Sequence, residues 1–220
     1  MDENLNPPRR IAMWSGPRNV STALMYSFAQ RADAIVWDEP YYAAWLHATG
    51  EPHPMRAEIL AAGLVDPTAV AHRILEPTAR PVFYQKHMAH HMLPIFDLGG
   101  WFAAATHAFL IRPPAAVLAS YTAKYEQASL GLIGYPQQLE LFERAAEALG
   151  KPPPVIRGED LQRRPEAALR ALTAALGLTF EPAMLRWPIG PKAYDGVWAP
   201  HWYDRVWATT AFAPPSDAPP

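Results

Sequence analysis

The chain has 220 residues, of which half are hydrophobic and 18% are charged, and its formal net charge is -2. This length and composition are typical of a globular protein with one substantial core. The near-neutral charge provides no general attraction to nucleic acid or to an anionic membrane surface. Because the sequence contains no cysteine, disulfides, thiolate zinc sites and a cysteine nucleophile are excluded.

The sequence carries no apolar run approaching the roughly 20 residues that a membrane span needs. Its polar segment 1–10 does not have the pattern of a secretory signal. We therefore expect a cytoplasmic protein with no membrane or nucleic-acid partner. We also expect a single domain over residues 1–220, with frayed ends at residues 1–9 and 213–220, the second of which is rich in proline.

Short continuous apolar runs, typical of parallel strands buried on both faces, recur along the chain. They predict strands at residues 11–14, 35–37, 82–84 and 108–111, with a shorter one at 155–156. Helical patterns between them predict helices at residues 21–30, 114–123, 136–149 and 166–176. This alternation favours βαβ units around a mostly parallel sheet, in which ligands bind beyond the carboxyl ends of the strands.

Two of these helices carry more specific expectations. At the start of the first helix, Asn19 and Ser21 are candidate capping residues. In the third helix, the spacing of apolar residues predicts one buried stripe made of Leu139, Phe142, Ala146 and Leu149.

The segment between the first strand and the first helix has the composition of an anion-binding loop. Gly16 and Pro17 predict a tight turn, after which the free amides at the helix N-terminus point at one place. Arg18 adds a guanidinium, and Ser21 and Thr22 add hydroxyl donors. The loop is not a Walker A motif, which needs a second glycine followed by lysine. An ordinary strand-to-helix turn with capping residues is the alternative interpretation.

The sequence Pro17-Arg-Asn-Val-Ser-Thr22 resembles the 5′-phosphosulfate loop of sulfotransferases, usually Pro-Lys/Arg-Ser-Gly-Thr-Thr. It departs from that pattern at Asn19 and at Val20, where glycine normally allows close backbone approach. The resemblance implies a donor, 3′-phosphoadenosine 5′-phosphosulfate (PAPS). It also implies that the donor is bound by Gly16, Pro17, Arg18, Asn19, Val20, Ser21 and Thr22, with Arg18 stabilising charge on the leaving oxygen.

Two later segments resemble other parts of the same family. In the family's 3′-phosphate site an arginine ends a strand and a serine follows eight residues later, a spacing that Arg112 and Ser120 share. The segment 190–198 loosely resembles the late loop that covers the nucleotide, so Lys192 and Gly196 are expected donor contacts. Taken singly, Arg112 and Ser120 could equally be a surface arginine and a neutral helix serine.

Two candidates for the catalytic base follow predicted strands. The segment 81–94 resembles the strand and Lys-Thr-His-Leu-Pro motif of cytosolic sulfotransferases, which places His87 at the base position. A histidine suits this role because its ordinary pKa is about 6.5. Glu39, after the second strand, is the other candidate, since some carbohydrate sulfotransferases use a glutamate near this place. His87 and His91 share the spacing of a metal pair, but no His-Glu-x-x-His motif accompanies them, so we expect no metal.

The resemblance implies a P-loop NTPase-like α/β/α fold with a mostly parallel sheet of about five strands. It also implies transfer of a sulfuryl group from PAPS to a hydroxyl or amine of a small-molecule acceptor. Two alternatives stay open: a P-loop kinase for a small molecule, and a nucleotide-binding module without catalysis. The sequence identifies neither the acceptor nor the oligomeric state.

Overall fold

The protein is built around a five-stranded, fully parallel sheet. The computed structural model describes residues 7–97, 99–122 and 130–215. The strand order across the sheet is β2-β3-β1-β4-β5, and every neighbouring pair is parallel. The strands are β1 (Arg9–Ser15), β2 (Ala34–Asp38), β3 (Val82–Met88), β4 (Ala105–Ile111) and β5 (Val155–Arg157).

Helices connect the strands and cover the sheet. Those of the first half are α1 (Ser21–Ala29), α2 (Tyr42–Thr49), α3 (Arg56–Ala62), α4 (Pro67–Leu75), α5 (Gly99–Ala104) and α6 (Pro114–Thr122). Those of the second half are α7 (Leu130–Ile133), α8 (Tyr135–Leu149), α9 (Gly158–Arg163), α10 (Pro165–Ala175), α11 (Ala199–Trp202) and α12 (Asp204–Trp207). Short 3₁₀ helices lie at Ala89–His91 and Pro182–Leu185.

The alternation of side chains along β1 divides the core into two layers. Ile11 and Met13 face a cluster that includes apolar residues of α1 and α10. Ala12 and Trp14 face the opposite cluster, which includes residues of α4, α5 and α8. Because both faces of the sheet are covered, apolar residues make up much of each longer strand, although β3 also buries Gln85, Lys86 and His87. The predicted α/β/α architecture with a mostly parallel sheet is confirmed.

The sequence predicted the principal elements better than it predicted their buried faces. The four predicted helices correspond to α1, α6, α8 and α10, with ends that differ by one residue. The predicted stripe of α8 is wrong: Leu139 is 60% exposed, whereas the buried residues are Gln138, Leu141 and Ala145. Gln138 is buried because its amide donates to the carbonyl oxygens of Trp14 and Leu110, where β1 and β4 end.

The ends of the described chain are tied to the sheet or lie outside the description. Arg9, at the edge of the segment expected to be frayed, begins β1 and donates to the carbonyl oxygens of Leu176 and Gly177. Residues 1–6 and 216–220 are outside the described residues. The division into one domain stays a prediction. Within the described ranges, no helix is both long and apolar enough to span a bilayer.

Candidate functional site

The carboxyl ends of β1, β2, β3 and β4 meet at one edge of the parallel sheet. The loop after β1, residues 16–20, lies in the middle of this edge because β1 is the central strand. Its path is tightly constrained: a Cβ on Gly16 would come within 2.5 Å of the carbonyl oxygen of Ile133, so only glycine fits there. Arg18 and Val20 adopt positive φ angles of 63° and 57°.

The N-terminus of α1 is left open to a ligand. Its N-cap is Val20, no side chain caps it, and its first turn carries no acid. The expectation that Asn19 or Ser21 caps the helix is therefore wrong. Ser21 is buried and Thr22 half-buried in the first turn. The buried amide oxygen of Asn19 accepts no hydrogen bond from any described residue. Free amides at a helix N-terminus favour an anion.

The two arginines and the serine predicted to bind phosphates come together beside this loop. The Arg18 guanidinium donates through Nε to Ser120 Oγ at 3.1 Å, and Arg112 Nη1 donates to the carbonyl oxygen of Arg18 at 3.1 Å. Arg112 Nε lies 3.6 Å from Glu159 Oε1. These hydrogen bonds bring together residues 94 and 102 positions apart in sequence, and their binding of phosphate stays a prediction.

His87 lies beneath the site, within an aromatic stack. Its side chain is 1% exposed, and its ring lies 4.5 Å from that of Trp14 and 5.4 Å from that of Trp101, centroid to centroid. Its Nε2 donates to Gln85 Oε1 at 3.2 Å. Burial lowers the pKa of His87 to about 3. Its surroundings are those of a neutral histidine in the core.

The other candidate base, Glu39, belongs to a buried network centred on Lys86. The Lys86 ammonium donates to Asp38 Oδ1 at 2.7 Å, to Glu39 Oε1 at 2.6 Å and to Tyr203 OH at 2.7 Å. Tyr203 in turn donates to Asp38 Oδ2 at 2.6 Å. Asp38 and Lys86 are register partners on β2 and β3, which places the lysine directly beside the end of β2.

This network sets the protonation of its members. Burial raises the pKa of Glu39 to about 7; the attraction of Lys86 opposes this rise and the charge of Asp38 adds to it. For Lys86, burial lowers the pKa, but the carboxylates of Asp38 and Glu39 outweigh burial and the pKa is raised. At neutral pH Lys86 therefore stays a charged ammonium. The carboxyl group of Glu39 is partly ionised, because the pH is close to its pKa of about 7. A base is most effective when its pKa lies near the working pH.

Glu39 opens onto a cleft of about 260 Å³. One wall comes from the end of β2 and from α2, α3 and the turn after them, and the other from residues 193–198 of the C-terminal segment. The lining residues are Trp37, Asp38, Glu39, Pro40, Ala43, Ile59, Ala62, Gly63, Leu64, Ala193, Tyr194, Asp195, Gly196, Val197 and Trp198. From the sequence, the longer inserts at residues 41–75 and 124–136 are expected to form the acceptor pocket. Part of the first insert borders the cleft, whereas residues 124–129 of the second lie outside the described residues.

The two residues expected in a late nucleotide-covering loop lie on this C-terminal segment. The amide of Gly196 donates to Asp38 Oδ2 at 3.3 Å, so this glycine joins the wall of the cleft to the end of β2. The ammonium of Lys192 donates to the carbonyl oxygen of Gly190 and lies 5.0 Å from the centre of the Tyr26 ring. The contact of these two residues with a donor stays a prediction.

The closely spaced histidines lie in aromatic surroundings. His91 stacks on Tyr42 at 4.5 Å and on Trp45 at 5.0 Å, and its Nδ1 lies 3.9 Å from Glu39 Oε2. Burial lowers the pKa of His90 to about 3 and that of His91 well below its usual value. Within the described ranges, no three His, Asp or Glu side chains are grouped as metal ligands.

The family of the chain follows from comparison with known proteins. A family model described as a sulfotransferase domain matches residues 9–220. The chain belongs to the sulfotransferase domain family. This match covers nearly the whole chain, and it includes the loop after β1, both arginines and the C-terminal wall of the cleft.

Two curated relatives of this sulfotransferase-family chain come from Arabidopsis thaliana. They are the branched-chain-amino-acid aminotransferase-like proteins 1 and 2, which are 38% and 37% identical over 96% and 95% of the chain. The chain spans only 38% and 37% of the length of these relatives. Their names therefore describe much longer proteins.

Solved structures with the same fold include sulfotransferase domains of larger biosynthetic systems. The domain from the Synechococcus PCC 7002 olefin synthase has a TM-score of 0.57 and 20% identity, and the match covers 92% of this chain and 86% of that one. The domain from the curacin biosynthetic pathway has a TM-score of 0.53 and 16% identity, with 94% and 84% covered. At these identities the likeness shows the fold alone.

Sequence reasoning missed the centre of the buried network. In the family resemblance Lys86 stands at the threonine position of the motif, and Asp38 has no role. Tyr203 was predicted only as one of several C-terminal aromatic residues that line a pocket or pack in the core. One feature of the sequence was informative: a lysine inside the apolar run of β3, in which all seven residues are buried, requires a buried partner. Which acids and which tyrosine supply it depends on contacts that the sequence does not display.

Proposed function

We propose that the protein is a PAPS-dependent sulfotransferase that moves a sulfuryl group to a hydroxyl or amine of a small-molecule acceptor. The observation that carries the proposal is the convergence of Arg18, Ser120 and Arg112 beside the uncapped N-terminus of α1. Family membership alone supports sulfotransfer in general. The convergence supports a donor with phosphate groups at two places.

The residues of the loop fit such a donor. The uncapped backbone amides at the N-terminus of α1 are hydrogen-bond donors, and phosphate oxygens are acceptors that they can bind. In the proposal, residues 16–22 hold the 5′-phosphosulfate, Arg112 and Ser120 hold the 3′-phosphate, and Lys192 and Gly196 cover the nucleotide. Arg18 contributes to the 5′-phosphosulfate site and to the 3′-phosphate site, because it belongs to the loop and its guanidinium contacts Ser120.

For the base, the surroundings support Glu39 over His87. Glu39 lines the cleft and burial raises the pKa of its carboxyl group to about 7, so a substantial fraction is ionised at neutral pH. His87 is 1% exposed and packs against the rings of Trp14 and Trp101, so an acceptor would have to displace the core to reach it. In the proposal Glu39 takes the proton, and Lys86 and Asp38 hold it in place.

When bound, PAPS supplies the sulfuryl group: the acceptor oxygen or nitrogen bonds to sulfur as sulfur separates from the bridging oxygen, and 3′-phosphoadenosine 5′-phosphate (PAP) leaves. Glu39 receives the acceptor proton at Oε2, the oxygen that Lys86 does not contact. Arg18 and the loop amides stabilise charge on the leaving phosphate oxygen. By analogy with phosphoryl transfer, most of the acceleration comes from positioning and charge stabilisation.

The proposal extends to the setting of the enzyme. Cytoplasmic location, a small-molecule partner and absence of a metal requirement remain predictions from the sequence. The relatives' aminotransferase names belong to proteins more than twice as long as this chain and are not carried over. A small-molecule kinase and a non-catalytic nucleotide-binding module are the alternatives that an experiment must separate.

The donor site is tested by calorimetric titration of the chain with PAP and with ATP, for wild type and for Arg112→Ala. We expect PAP to bind with a Kd of about micromolar order, and Arg112→Ala to weaken it by about 10- to 100-fold through loss of charge-assisted hydrogen bonds. ATP, which lacks the 3′-phosphate, should bind more weakly than PAP in wild type.

The matched control is Arg170→Ala, which removes an exposed arginine paired with Glu166 on α10 and should leave PAP binding unchanged. Stronger binding of ATP than of PAP, with turnover that needs Mg²⁺, would establish the kinase instead. PAP binding that is indifferent to Arg112 would contradict the proposed donor site. PAP binding without sulfate transfer to any acceptor would support the non-catalytic module.

A further inference from the structure

The cleft beside Glu39 is lined by acids. Asp38, Glu39 and Asp195 contribute three carboxylates, and no lysine, arginine or histidine is among the described residues that line it. Lys86 is 1% exposed and pairs with both Asp38 and Glu39, so its charge offsets part of theirs. Asp195 is therefore the carboxylate of the lining that matters most for the charge an entering molecule meets.

Asp195 is held by neutral donors. Its Oδ1 accepts from Tyr26 OH at 2.6 Å, and its Oδ2 accepts from Trp207 Nε1 and from the backbone amide of Lys192, each at 2.8 Å. The ammonium of Lys192 is close enough to interact electrostatically with Asp195, but its hydrogen bond goes to the carbonyl oxygen of Gly190. The carboxylate is thus oriented by hydrogen bonds without being paired directly with a cation.

Aromatic and aliphatic side chains complete the cleft. Trp37, Tyr194 and Trp198 provide rings, and Ile59 and Leu64 provide the apolar surface opposite. Rings next to carboxylates are the usual surroundings of an alkylammonium group, because the π-face and the carboxylate both attract it. The same surroundings disfavour an anion, which would lose its hydration and gain no partner.

Glu39 is the group of the cleft that a ligand hydroxyl can reach. Its side chain lines the cleft, and Lys86 contacts its Oε1. His91 Nδ1 lies 3.9 Å from Glu39 Oε2, too far for a direct hydrogen bond, and His91 is 2% exposed and does not line the cleft. A hydroxyl in the cleft therefore meets Glu39 rather than His91.

From these four observations we infer that the acceptor is an amino alcohol: a small molecule that carries a permanent or protonated ammonium group, an apolar or aromatic body and a hydroxyl that takes the sulfuryl group. The inference rests on the proposed sulfotransferase function. The ammonium lies against Asp195 and the rings, and the hydroxyl lies against Glu39. A protonated amine has no lone pair for attack, so it serves recognition while the hydroxyl oxygen is the nucleophile.

The reaction balances without a further reagent. The acceptor oxygen forms a bond to sulfur, the bond from sulfur to the phosphosulfate bridging oxygen breaks, and the hydroxyl proton passes to Glu39. The products are PAP and a sulfate ester that still carries the ammonium, hence a zwitterion. The cleft then holds a product of lower positive charge than the substrate, which favours release.

The experiment uses three ligands with the same ring and benzylic hydroxyl but different charge: 2-amino-1-phenylethanol, 1-phenyl-1,2-ethanediol and mandelate. Each is titrated into the chain alone and into the chain saturated with PAP, and each is assayed as a sulfate acceptor. We expect the cation to bind at least about fivefold more tightly than the neutral diol, and the anion to bind most weakly.

Asp195→Asn keeps the size and the planar end group of the side chain and removes its negative charge. We expect it to reduce the preference for the cation over the diol to about twofold or less, while Glu147→Gln, an exposed acid on α8, leaves the preference intact. Thermal melts confirm that each variant is folded. Should Asp195→Asn not fold, loss of the cation preference of wild type at high salt is the second measure of the charge effect.

Equal binding of the three ligands, tighter binding of mandelate, or binding of none of them would each overturn the inference. These outcomes are separate from failure of the proposed function, because failure of PAP to bind is measured first and the titrations into the chain alone do not depend on it. If the cation binds more tightly than the diol but PAP does not bind, the cleft is still a site for an ammonium group and the proposed sulfotransferase function is wrong.

Discussion

Glu39 is the residue on which the proposed chemistry depends most directly. It occupies an unfavourable backbone conformation for a non-glycine residue, with φ of 42°, and its carboxyl group is held by Lys86 at 2.6 Å. Strained positions of this kind cost about 1–3 kcal/mol and often occur at functional sites. The combination of strain, burial and a raised pKa fits a base that is positioned before the acceptor arrives.

Glu39→Gln should abolish most of the transfer and leave the donor site intact. Glutamine keeps the hydrogen bond to Lys86 but accepts no proton, so we expect the rate to fall by about 10²- to 10⁴-fold with PAP affinity unchanged. In wild type, kcat/KM should rise with pH and level off above about 7, because only the ionised carboxyl group of Glu39 is active and its pKa is raised to about 7.

The matched control for this variant is Glu140→Gln, which changes an exposed acid on α8. Steady-state rates over pH 5.5 to 9 for the three proteins provide the measurement. Full activity of Glu39→Gln, with the pH dependence of wild type, would show that another group takes the proton and would return His87 to consideration.

At the scale of single elements, the loop after β1 differs most from the family pattern. Val20 stands where the family usually has glycine, and it adopts φ of 57°. Its side chain packs against the core cluster around α1, and a Cβ on Gly158 would lie 3.3 Å from its Cγ2. The valine thus keeps the backbone path of a glycine and adds a contact between the loop and the start of α9.

The two variants Val20→Gly and Val20→Ala separate backbone strain from packing. Both remove the packing of valine, but only glycine relieves a left-handed conformation that costs other residues about 1–2 kcal/mol. We therefore expect Val20→Gly to be more stable than Val20→Ala by about 1 kcal/mol in chemical denaturation. At Ala23, inside α1, the order should reverse, since Ala23→Gly loses about 1 kcal/mol. If the alanine variant at position 20 is the more stable one, the left-handed conformation is absent in solution.

The elements also show what the sequence could and could not specify. The apolar segments of the four longer strands were predictable because a strand covered on both faces is mostly apolar. The buried Gln85, Lys86 and His87 made the second half of β3 unpredictable. The buried face of α8 was not, because Gln138 is drawn inwards by strand-end carbonyl oxygens that only the assembled sheet presents. Among candidate site residues, Arg18, Arg112 and Ser120 were suggested by a family pattern, whereas Lys86 is explained by partners on two separate segments, Asp38 with Glu39 and Tyr203.

At the scale of the whole molecule, buried histidines link folding to pH. Burial lowers the pKa of five of them: to about 4 for His53 and His107, to about 3 for His87 and His90, and well below its usual range for His91. The unfolded chain takes up protons at these histidines below about pH 6.5, while the folded chain does not. Their contribution to stability is therefore complete above pH 6.5 and is lost as the pH falls towards 3.

Urea denaturation at pH 7.5, 6.5 and 5.5 should show this loss as a falling midpoint. Each histidine costs about 1.4 kcal/mol per pH unit below 6.5. The raised pKa of Glu39 acts in the opposite direction between about 4.5 and 7, but it is one group against five. The variant His47→Gln, changed at an exposed position of α2, should follow wild type. A midpoint that does not fall from pH 7.5 to 5.5 would mean that the histidines are solvated or paired in solution.

The hydrogen bonds around Lys86 join segments of the chain that leave the ribosome at different times during synthesis. The lysine and its two acids belong to β3 and the end of β2, but the phenol that contacts both Lys86 and Asp38 comes from Tyr203, more than a hundred residues later. When the ribosome has released only the first strands, the lysine has two of its three partners and the cleft lacks residues 193–198 as its second wall. In the proposed enzyme, the loop after β1 is therefore synthesised long before the second wall of the cleft, and the cleft is complete only when the segment through Tyr203 has folded onto the sheet.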